Sequence, residues 1–162
     1  MKQKIFTNCF LVKTDETGAV TEICLAMKKR GFGVGMWNGT GGKPNEGEEI
    51  EAAARREAQE ELGISIKKFD KLGIINFTLR QEDKNVQMHS YLVLDWEGEP
   101  QETEEMLPKW FKSTEIPFDQ MWKSDREWLP ILLKGKKFVA TYTYACEGGE
   151  VETREITEVT SF

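Results

Sequence analysis

The sequence is poor in the residues that most often build metal and redox sites, with only 3 cysteines and a single histidine among 162 residues. Cys9, Cys24 and Cys146 are odd in number and show no CxxC spacing. This argues against a disulfide framework and a cysteine zinc site, and we expect reduced thiols in a cytoplasmic protein. His89 lies inside a predicted strand with no partner for a catalytic triad nearby, so we interpret it as structural.

Long apolar runs and a surplus of positive charge are also missing. No stretch approaches the roughly 18 apolar residues that a membrane span needs, and Lys13 interrupts the apolar N-terminal segment. The sequence therefore predicts neither a membrane span nor a signal peptide. The 22 basic residues are outnumbered by 28 acidic ones, and the net charge of −6 argues against a nucleic-acid partner. A phosphorylated small molecule remains compatible, because a divalent cation can lie between acid and phosphate.

Glutamate is what the sequence has in excess, with 22 Glu against 6 Asp. These acids form either a solvated surface or a set of carboxylates gathered for a metal. The rest of the composition, with 39% apolar and 10% aromatic residues, is typical of a globular protein. We expect residues 1–162 to form a single domain and the protein to be a monomer.

The local patterns predict two helices and several strands. Alanines and a following glycine favour a helix over residues 48–62, and a second helix is predicted over residues 124–133. Predicted strands cover residues 4–13, Val20–Lys28, 71–79, 86–96, Met106–Lys112, 138–144 and 150–159. A mixed sheet with two main helices, in one α/β domain, is the fold class that this order indicates.

A glycine-rich segment leads into the first predicted helix, with seven glycines in residues 30–47. Glycine permits positive φ and lets the backbone approach a ligand closely, so the segment is either a binding loop or a long connection. As a binding loop it would offer carbonyl oxygens to a cation and amides to an anion. Lys43 adds a positive charge where a phosphate would arrive.

Three carboxylates stand close together on the first predicted helix. Glu57, Glu60 and Glu61 occupy positions i, i+3 and i+4, beside the apolar stripe of the helix rather than opposite it. Acids at the edge of a core face need a cation, and hard divalent ions such as Mg²⁺ take oxygen ligands. Arg56 stands one turn before Glu60 and can hold one carboxylate while others bind metal. This arrangement suits metal-assisted attack of water on a phosphoanhydride.

The spacing of these residues resembles the Nudix box, the signature of hydrolases acting on nucleoside diphosphates linked to another group. Ala58 departs from the usual pattern, which has a larger aliphatic residue there, and we expect this to affect packing and not chemistry. The seven fixed positions of the box are all filled, by Gly42, Glu48, Arg56, Glu57, Glu60, Glu61 and Gly63.

Further segments are similar to the MutT-type branch of that family, which hydrolyses oxidised purine nucleoside triphosphates. They include Trp37-Asn38-Gly39, Trp110-Phe111 and Met121-Trp122. The resemblance implies a Nudix fold, an α/β/α sandwich around a mixed β-sheet. It also implies release of nucleoside monophosphate and pyrophosphate, with Mg²⁺ or Mn²⁺ as cofactor. The implied catalytic and metal-binding set is Arg56, Glu57, Glu60, Glu61, Glu105 and the Gly41 carbonyl.

The same resemblance implies a pocket for the nucleotide. Asn38 would read the base, although Asn also turns loops, and Trp122 would stack on the base, although a core position suits it equally. Trp128, on the apolar side of the second helix, is better explained as core. The remaining implied pocket residues are Thr7, Lys28, Phe32, Thr40, Gly41, Gly42, Lys43, Phe77, Met106, Ser124 and Asp125.

One departure from the MutT-type pattern affects the base-reading residues. Where the pattern has Trp-Pro-Asp-Asp, this chain has Trp122-Lys123-Ser124-Asp125, so only the second carboxylate of a pair is present. A lone carboxylate accepts hydrogen bonds from a guanine-like edge but cannot share a proton with a second one. We expect purine triphosphates to remain substrates and the preference among damaged bases to differ.

The residues leave two questions open. The general base is Glu57, Glu60 or Glu105, unless a metal-bound hydroxide needs little help. The box reports diphosphate chemistry and says little about the base, so hydrolysis of ADP-ribose or of a dinucleotide polyphosphate is an alternative. A module that binds a nucleotide without cleaving it is the other. In each case the expected partner is a small-molecule nucleotide.

Overall fold

A computed structural model describes residues 3–162 of the chain. These residues form eight strands, two α-helices and one 3₁₀ turn at Phe118–Gln120. The helices are α1 (Ile50–Leu62) and α2 (Asp125–Leu133). The strands are β1 (Gln3–Thr14), β2 (Val20–Lys28), β3 (Trp37–Asn38), β4 (Ser65–Leu79), β5 (Lys84–Glu97), β6 (Met106–Lys112), β7 (Lys137–Tyr144) and β8 (Val151–Val159).

The strands build one mixed sheet in the order β3-β2-β1-β5-β4-β7-β8, and β6 also pairs with β2. The pairs β1–β5 and β4–β7 are parallel, whereas the other pairs are antiparallel. Parallel neighbours cannot be joined by a tight hairpin, so longer segments that include α1 and α2 make these connections. The predicted mixed sheet is confirmed.

The two helices cover opposite faces of this sheet. Side chains alternate between the faces along β1. Phe10 and Val12 belong to the core that contains Trp128 of α2, and Cys9 and Leu11 belong to the core beneath α1. The layers are therefore helix, sheet and helix, and the predicted α/β/α sandwich is confirmed.

Helix α1 packs closely on the sheet because small residues face it. Ala54 and Ala58 are fully buried there, so the departure at Ala58 concerns packing. The helix ends at Gly63, which has a φ of 72° and donates its N–H to the Gln59 carbonyl. This stop places the last turn of α1, with Glu60 and Glu61, beside the glycine-rich loop.

Two elements differ from the prediction by more than two residues at an end. Strand β4 begins at Ser65 rather than at residue 71, because register shifts near Lys68 and Gly73 interrupt the period-two pattern from which a strand is recognised. Strand β3 lies inside the glycine-rich segment, where Trp37 and Asn38 pair with β2. Among residues 3–162, no helix is long and apolar enough to cross a membrane.

Candidate active site

The end of the glycine-rich loop is hydrogen-bonded to β1 like a short extra strand. The Cys9 N–H donates to the Thr40 carbonyl at 2.6 Å, and the Thr40 N–H donates back to Cys9 at 2.9 Å. The Thr7 N–H donates to the Gly42 carbonyl at 2.8 Å. Because carbonyls alternate along an extended chain, the Gly41 carbonyl faces away from β1. It accepts no hydrogen bond from residues 3–162.

Glycine is required at two of these loop positions, because atoms of neighbouring residues lie where a Cβ would be. A Cβ at Gly41 would collide with the Thr7 carbonyl. A Cβ at Gly42 would lie 2.6 Å from Glu57 Oε1, well inside van der Waals contact. The missing side chain of Gly42 is therefore the space that the Glu57 carboxylate occupies.

Arg56 is the centre of the polar network on α1. Its Nε and Nη2 donate to the two Glu48 oxygens at 2.9 Å each, a bidentate pair. Its Nη1 donates to Glu57 at 3.0 Å and to Glu60 at 3.1 Å, and its Nη2 also donates to the Lys43 carbonyl at 3.2 Å. The single carboxylate expected at Arg56 is in fact three. One guanidinium therefore ties the helix, its N-terminal approach and the loop together.

Glu57 is largely covered, with a side chain 15% exposed. Burial raises the pKa of Glu57, the hydrogen bond from Arg56 opposes the rise, and the charges of Glu60 and Glu105 add to it. Burial outweighs the guanidinium, so the ionised carboxylate would gain from a further positive charge.

Glu61 is the most buried acid of the helix, with 2% of its surface exposed. Its Oε1 accepts hydrogen bonds from Thr40 Oγ1 and from the Gly41 N–H, both at 2.8 Å. Burial raises the pKa of Glu61 to about 7, whereas these two hydrogen bonds and the charge of Lys28 oppose the rise. Its Oε2 accepts no hydrogen bond from the part of the chain that the structure describes.

Glu105 lies at the other side of the loop and is paired with Arg30 at 3.1 Å. Nearly half of its side chain is exposed, and its charge raises the pKa of Glu57. Within residues 3–162, no three acids, histidines or cysteines converge as a finished metal cage. The acids instead point to guanidinium groups: Glu57 and Glu60 to Arg56, and Glu105 to Arg30.

The donor chemistry of this region fits a hard divalent cation. The Gly41 carbonyl and Glu61 Oε2 are oxygen atoms without a hydrogen bond from the described residues, and Glu57 is a covered carboxylate whose pKa is raised. Oxygen ligands of this kind suit Mg²⁺ and Mn²⁺. The residues present therefore fit the cofactor that the sequence indicates.

An aromatic cleft opens next to this loop on the α2 face of the sheet, with a volume of about 740 Å³ including its open mouth. Trp122 is its centre: its ring centroid lies 5.3 Å from Phe32, 5.7 Å from Phe77 and 5.3 Å from Tyr144. These are contacts between neighbouring rings, and together the rings form a flat apolar wall that suits a planar ring system.

The closed end of the cleft is polar. The Ser124 N–H donates to the Tyr144 hydroxyl at 3.0 Å, and the Tyr144 hydroxyl donates to Ser124 Oγ. Asp125 is buried beside them, and burial raises its pKa to about 8, opposed by its contact with the Trp128 side chain. Ser124 directly precedes α2, but its side chain does not cap the helix, because its hydroxyl is engaged by Tyr144.

The structure gathers most of the pocket residues expected from the sequence. Thr40 and Lys43 lie outside the lining of the cleft: Thr40 contacts Glu61, and Lys43 contacts Arg56 through its carbonyl. Asn38 lines the cleft and also donates from Nδ2 to the Met36 carbonyl at 3.0 Å, so it supports its own loop. The expected residues that line the cleft are Thr7, Lys28, Phe32, Asn38, Gly41, Gly42, Phe77, Met106, Trp122, Ser124 and Asp125.

Several lining residues are not found by sequence reasoning. Trp128, interpreted as core, is 3% exposed and also touches the cleft. Strand alternation is a usable signal for two others, because Phe6 and Asn8 share the face of Phe10. The remaining lining residues missed from the sequence are Gly39, Ile75, Met88 and Tyr144. His89 is buried on the other face of β5 and pairs with Gln87 at 2.9 Å, as a structural residue does.

Comparison with known proteins places this site in a family. Residues 7–132 match the model of the NUDIX domain. The chain is 45% identical over 122 residues to the zebrafish (Danio rerio) oxidized purine nucleoside triphosphate hydrolase, covering 75% of this chain and 78% of that protein. It is 41% identical over 140 residues to the mouse (Mus musculus) protein of the same name, covering 86% and 89%.

A solved structure extends the likeness to the fold. The MutT protein from Bacillus halodurans superposes with a TM-score of 0.79 at 25% identity, covering 94% of this chain and 97% of that one. The family match, the two animal relatives and this structure agree with the box geometry around Arg56. The chain belongs to the Nudix family.

Proposed function

We propose that this protein hydrolyses oxidised purine nucleoside triphosphates to the nucleoside monophosphate and pyrophosphate, and so cleans the nucleotide pool. The observation that carries the proposal is the continuity of two sites. The aromatic cleft around Trp122 ends in Ser124 and Asp125, and its other side is lined by Gly41 and Gly42 of the box loop. A base in the cleft would therefore bring its phosphates to the carboxylates. The animal relatives named above carry this activity in their names.

The Nudix family uses divalent metal ions, and we propose Mg²⁺, with Mn²⁺ as a substitute. Glu57, Glu60, Glu61, Glu105 and the Gly41 carbonyl would hold it. When bound, such an ion supplies Lewis-acid polarisation of a phosphate and a lowered pKa of bound water. Glu60 and Glu105 would turn from their arginine partners to take part, which their exposed positions allow.

The residues of the chain itself have distinct tasks in this proposal. Arg56 positions Glu57 and Glu60 by charge-assisted hydrogen bonds and, through Lys43, keeps the loop against α1. Glu61 Oε1 anchors the loop through Thr40 and Gly41. A carboxylate among Glu57, Glu60 and Glu105 accepts the proton of the attacking water. Glu57 fits this best, because burial already raises its pKa.

Binding of the nucleoside would use the cleft walls. Trp122 and Phe32 would flank the base, with Phe77 and Met106 as apolar wall. Asp125 would accept hydrogen bonds from the base edge, and Asn38 would contact it from the loop side. Lys28, which already acts on Glu61 through its charge, lies where it can meet a phosphate or the sugar.

A panel of substrates tests the function. We expect release of pyrophosphate from 8-oxo-dGTP in the presence of Mg²⁺ and its loss on chelation. Glu57→Gln should abolish most turnover, with an unchanged circular dichroism spectrum. Preferential cleavage of ADP-ribose or a dinucleotide polyphosphate would replace the proposed substrate. Tight nucleotide binding with no cleavage at any Mg²⁺ concentration would instead support a binding module.

We also propose that residues 1–162 act as a single Nudix domain, as a monomer in the cytoplasm. One sheet carries both cores, which supports a single unit. The free thiols of Cys9, Cys24 and Cys146 suit a reducing compartment. Sedimentation at several concentrations tests the monomer, and elution as a constant dimer would contradict it.

A further inference from the structure

We propose that Tyr144 is a specificity-determining positioning residue, which acts through Ser124 to make the cleft prefer a 2-amino-6-oxopurine edge over a 6-aminopurine edge. This inference rests on the proposed function. It concerns a contact between β7 and the start of α2 that no spacing in the sequence indicates. The two residues are 20 positions apart, and both line the closed end of the cleft.

The geometry of the pair leaves one hydrogen-bond donor free. Ser124 and Tyr144 have two hydroxyl protons between them, and one of these makes the bond from Tyr144 to Ser124 Oγ. The Ser124 N–H occupies an acceptor site on the Tyr144 oxygen at 3.0 Å. The remaining proton, on the Ser124 hydroxyl, has no acceptor among the residues described. Since both residues line the cleft, the pair offers this donor to a ligand.

The adjoining carboxyl group of Asp125 offers hydrogen-bond acceptors. The Asp125 side chain contacts the Trp128 side chain and makes no hydrogen bond to Ser124 or Tyr144 within the described chain. Each carboxylate oxygen has two lone pairs, so both oxygens keep an acceptor site for a base edge. When ionised, a carboxylate has two acceptor oxygens and no donor. The polar end of the cleft therefore presents one donor next to two acceptors. Two N–H groups against Asp125 would themselves favour its ionised form.

Counting donors and acceptors selects the base. A 2-amino-6-oxopurine presents N1–H and one N2–H as donors and O6 as acceptor, which uses both oxygens of Asp125 and the free donor of the pair. A 6-aminopurine presents only one N6–H donor and the N1 acceptor, two groups against three in the cleft. One polar group at this end therefore stays without a partner, whether Asp125 is ionised or protonated. A buried polar group left without a partner is costly, so the second edge is disfavoured.

Tyr144 matters because it fixes the role of Ser124. A free serine hydroxyl rotates and serves as donor or acceptor as the ligand requires. The bond from Tyr144 occupies one of the two lone pairs of the Ser124 oxygen and limits its rotation, so the Ser124 hydroxyl proton is directed to an acceptor on the ligand. Tyr144 itself is locked, because its ring packs edge-on against Trp122 at 5.3 Å and Phe77 at 6.1 Å.

The test compares Tyr144→Phe with Tyr142→Phe. The first variant keeps the ring and removes the hydroxyl at the cleft. The second removes a hydroxyl that is buried on the same strand face, has no hydrogen-bond partner in residues 3–162 and lies outside the cleft lining. Steady-state kinetics with 8-oxo-dGTP and dATP give the selectivity as the ratio of the two kcat/KM values.

We expect Tyr144→Phe to lower that ratio by about 3-fold to 10-fold, the worth of one net hydrogen bond, mainly through KM for 8-oxo-dGTP. Tyr142→Phe should leave the ratio unchanged. Ser124→Ala should lower the ratio at least as far, and adding Tyr144→Phe to Ser124→Ala should change nothing more, because Tyr144 acts through Ser124.

Different failures of this experiment have different meanings. An unchanged ratio in Tyr144→Phe, or an equal loss with both nucleotides, overturns the role of Tyr144 while the proposed function stands. If the wild type cleaves neither nucleotide, the proposed function fails. The selectivity is then measured as the ratio of the Kd values for 8-oxo-dGTP and dATP, followed by quenching of tryptophan fluorescence. The same variants decide the inference in that assay.

Discussion

The protonation of Asp125 in the folded protein gives a prediction about stability and pH. Asp125 is buried at the closed end of the cleft, and burial raises its pKa from 3.8 to about 8. Between about pH 5 and 7 the unfolded chain carries this group ionised, whereas the folded chain holds it protonated. Folding then takes up one proton, so the contribution of Asp125 to stability falls as the pH rises.

The size of the effect follows from proton linkage. One proton taken up on folding changes the free energy of unfolding by about 1.4 kcal/mol per pH unit. Asp125→Asn removes the titration and keeps the shape of the side chain. The stability of the wild type minus that of the variant should therefore fall by about 2.7 kcal/mol from pH 5 to pH 7 and level off above the pKa of about 8. Glu61, whose pKa is also raised, is present in both proteins and cancels.

Urea unfolding of both proteins at three pH values measures this difference, with tryptophan fluorescence as the signal. Phe77 and Tyr144 pack against Trp122 in the same cleft. Neither of them titrates between pH 5 and 7, so they do not add a pH dependence to the fluorescence signal. A difference between the two proteins that is constant over this interval would refute the reasoning, since it would mean that Asp125 is ionised in the folded state. A difference that rises with pH would mean that Asp125 gains a cationic partner.

The remaining predictions concern Arg56 and Gly42, two residues of the Nudix box. Arg56→Lys should lower kcat at least about tenfold, because lysine cannot contact three carboxylates and a carbonyl at once; Arg126→Lys, which changes an exposed pair with Asp119, is the control and should match the wild type. Gly42→Ala should abolish turnover and cost about 1–3 kcal/mol in a thermal melt, because its Cβ displaces the Glu57 carboxylate. Wild-type turnover in Gly42→Ala would show that this approach is unimportant.

Part of the site is predictable because its residues lie close together in the chain. A helix has a fixed geometry, so the spacing of Glu57, Glu60 and Glu61 is enough to place them side by side. Their position at the edge of the apolar stripe also predicts burial, and Glu61 is indeed buried. Strand β2 is predicted with its observed bounds, because turn residues precede it and a run of β-prone apolar residues follows them.

Other features depend on contacts between distant segments. The spacing of Arg56 and Glu60 suggests one ion pair, whereas the contact with Glu48 requires the loop to fold back over the helix N-terminus, which no local period describes. The start of β4 is missed for a related reason, because its bulges are set by pairing with β5. Local patterns predict elements well and predict contacts between them only where a motif defines both partners.

Tyr142 and Tyr144 show most clearly what cannot be predicted from the sequence. They are two residues apart on β7, so the period of a strand puts both on one face, and both are fully buried. The sequence around them offers no reason to assign different roles. What separates them is Ser124, which the turn after Trp122 brings to the hydroxyl of Tyr144 and not to that of Tyr142. From the sequence alone, Ser124 in place of a carboxylate indicates the loss of a group that recognises the base. In the structure, Ser124 lies beside the Tyr144 hydroxyl, which holds it in position as a hydrogen-bond donor.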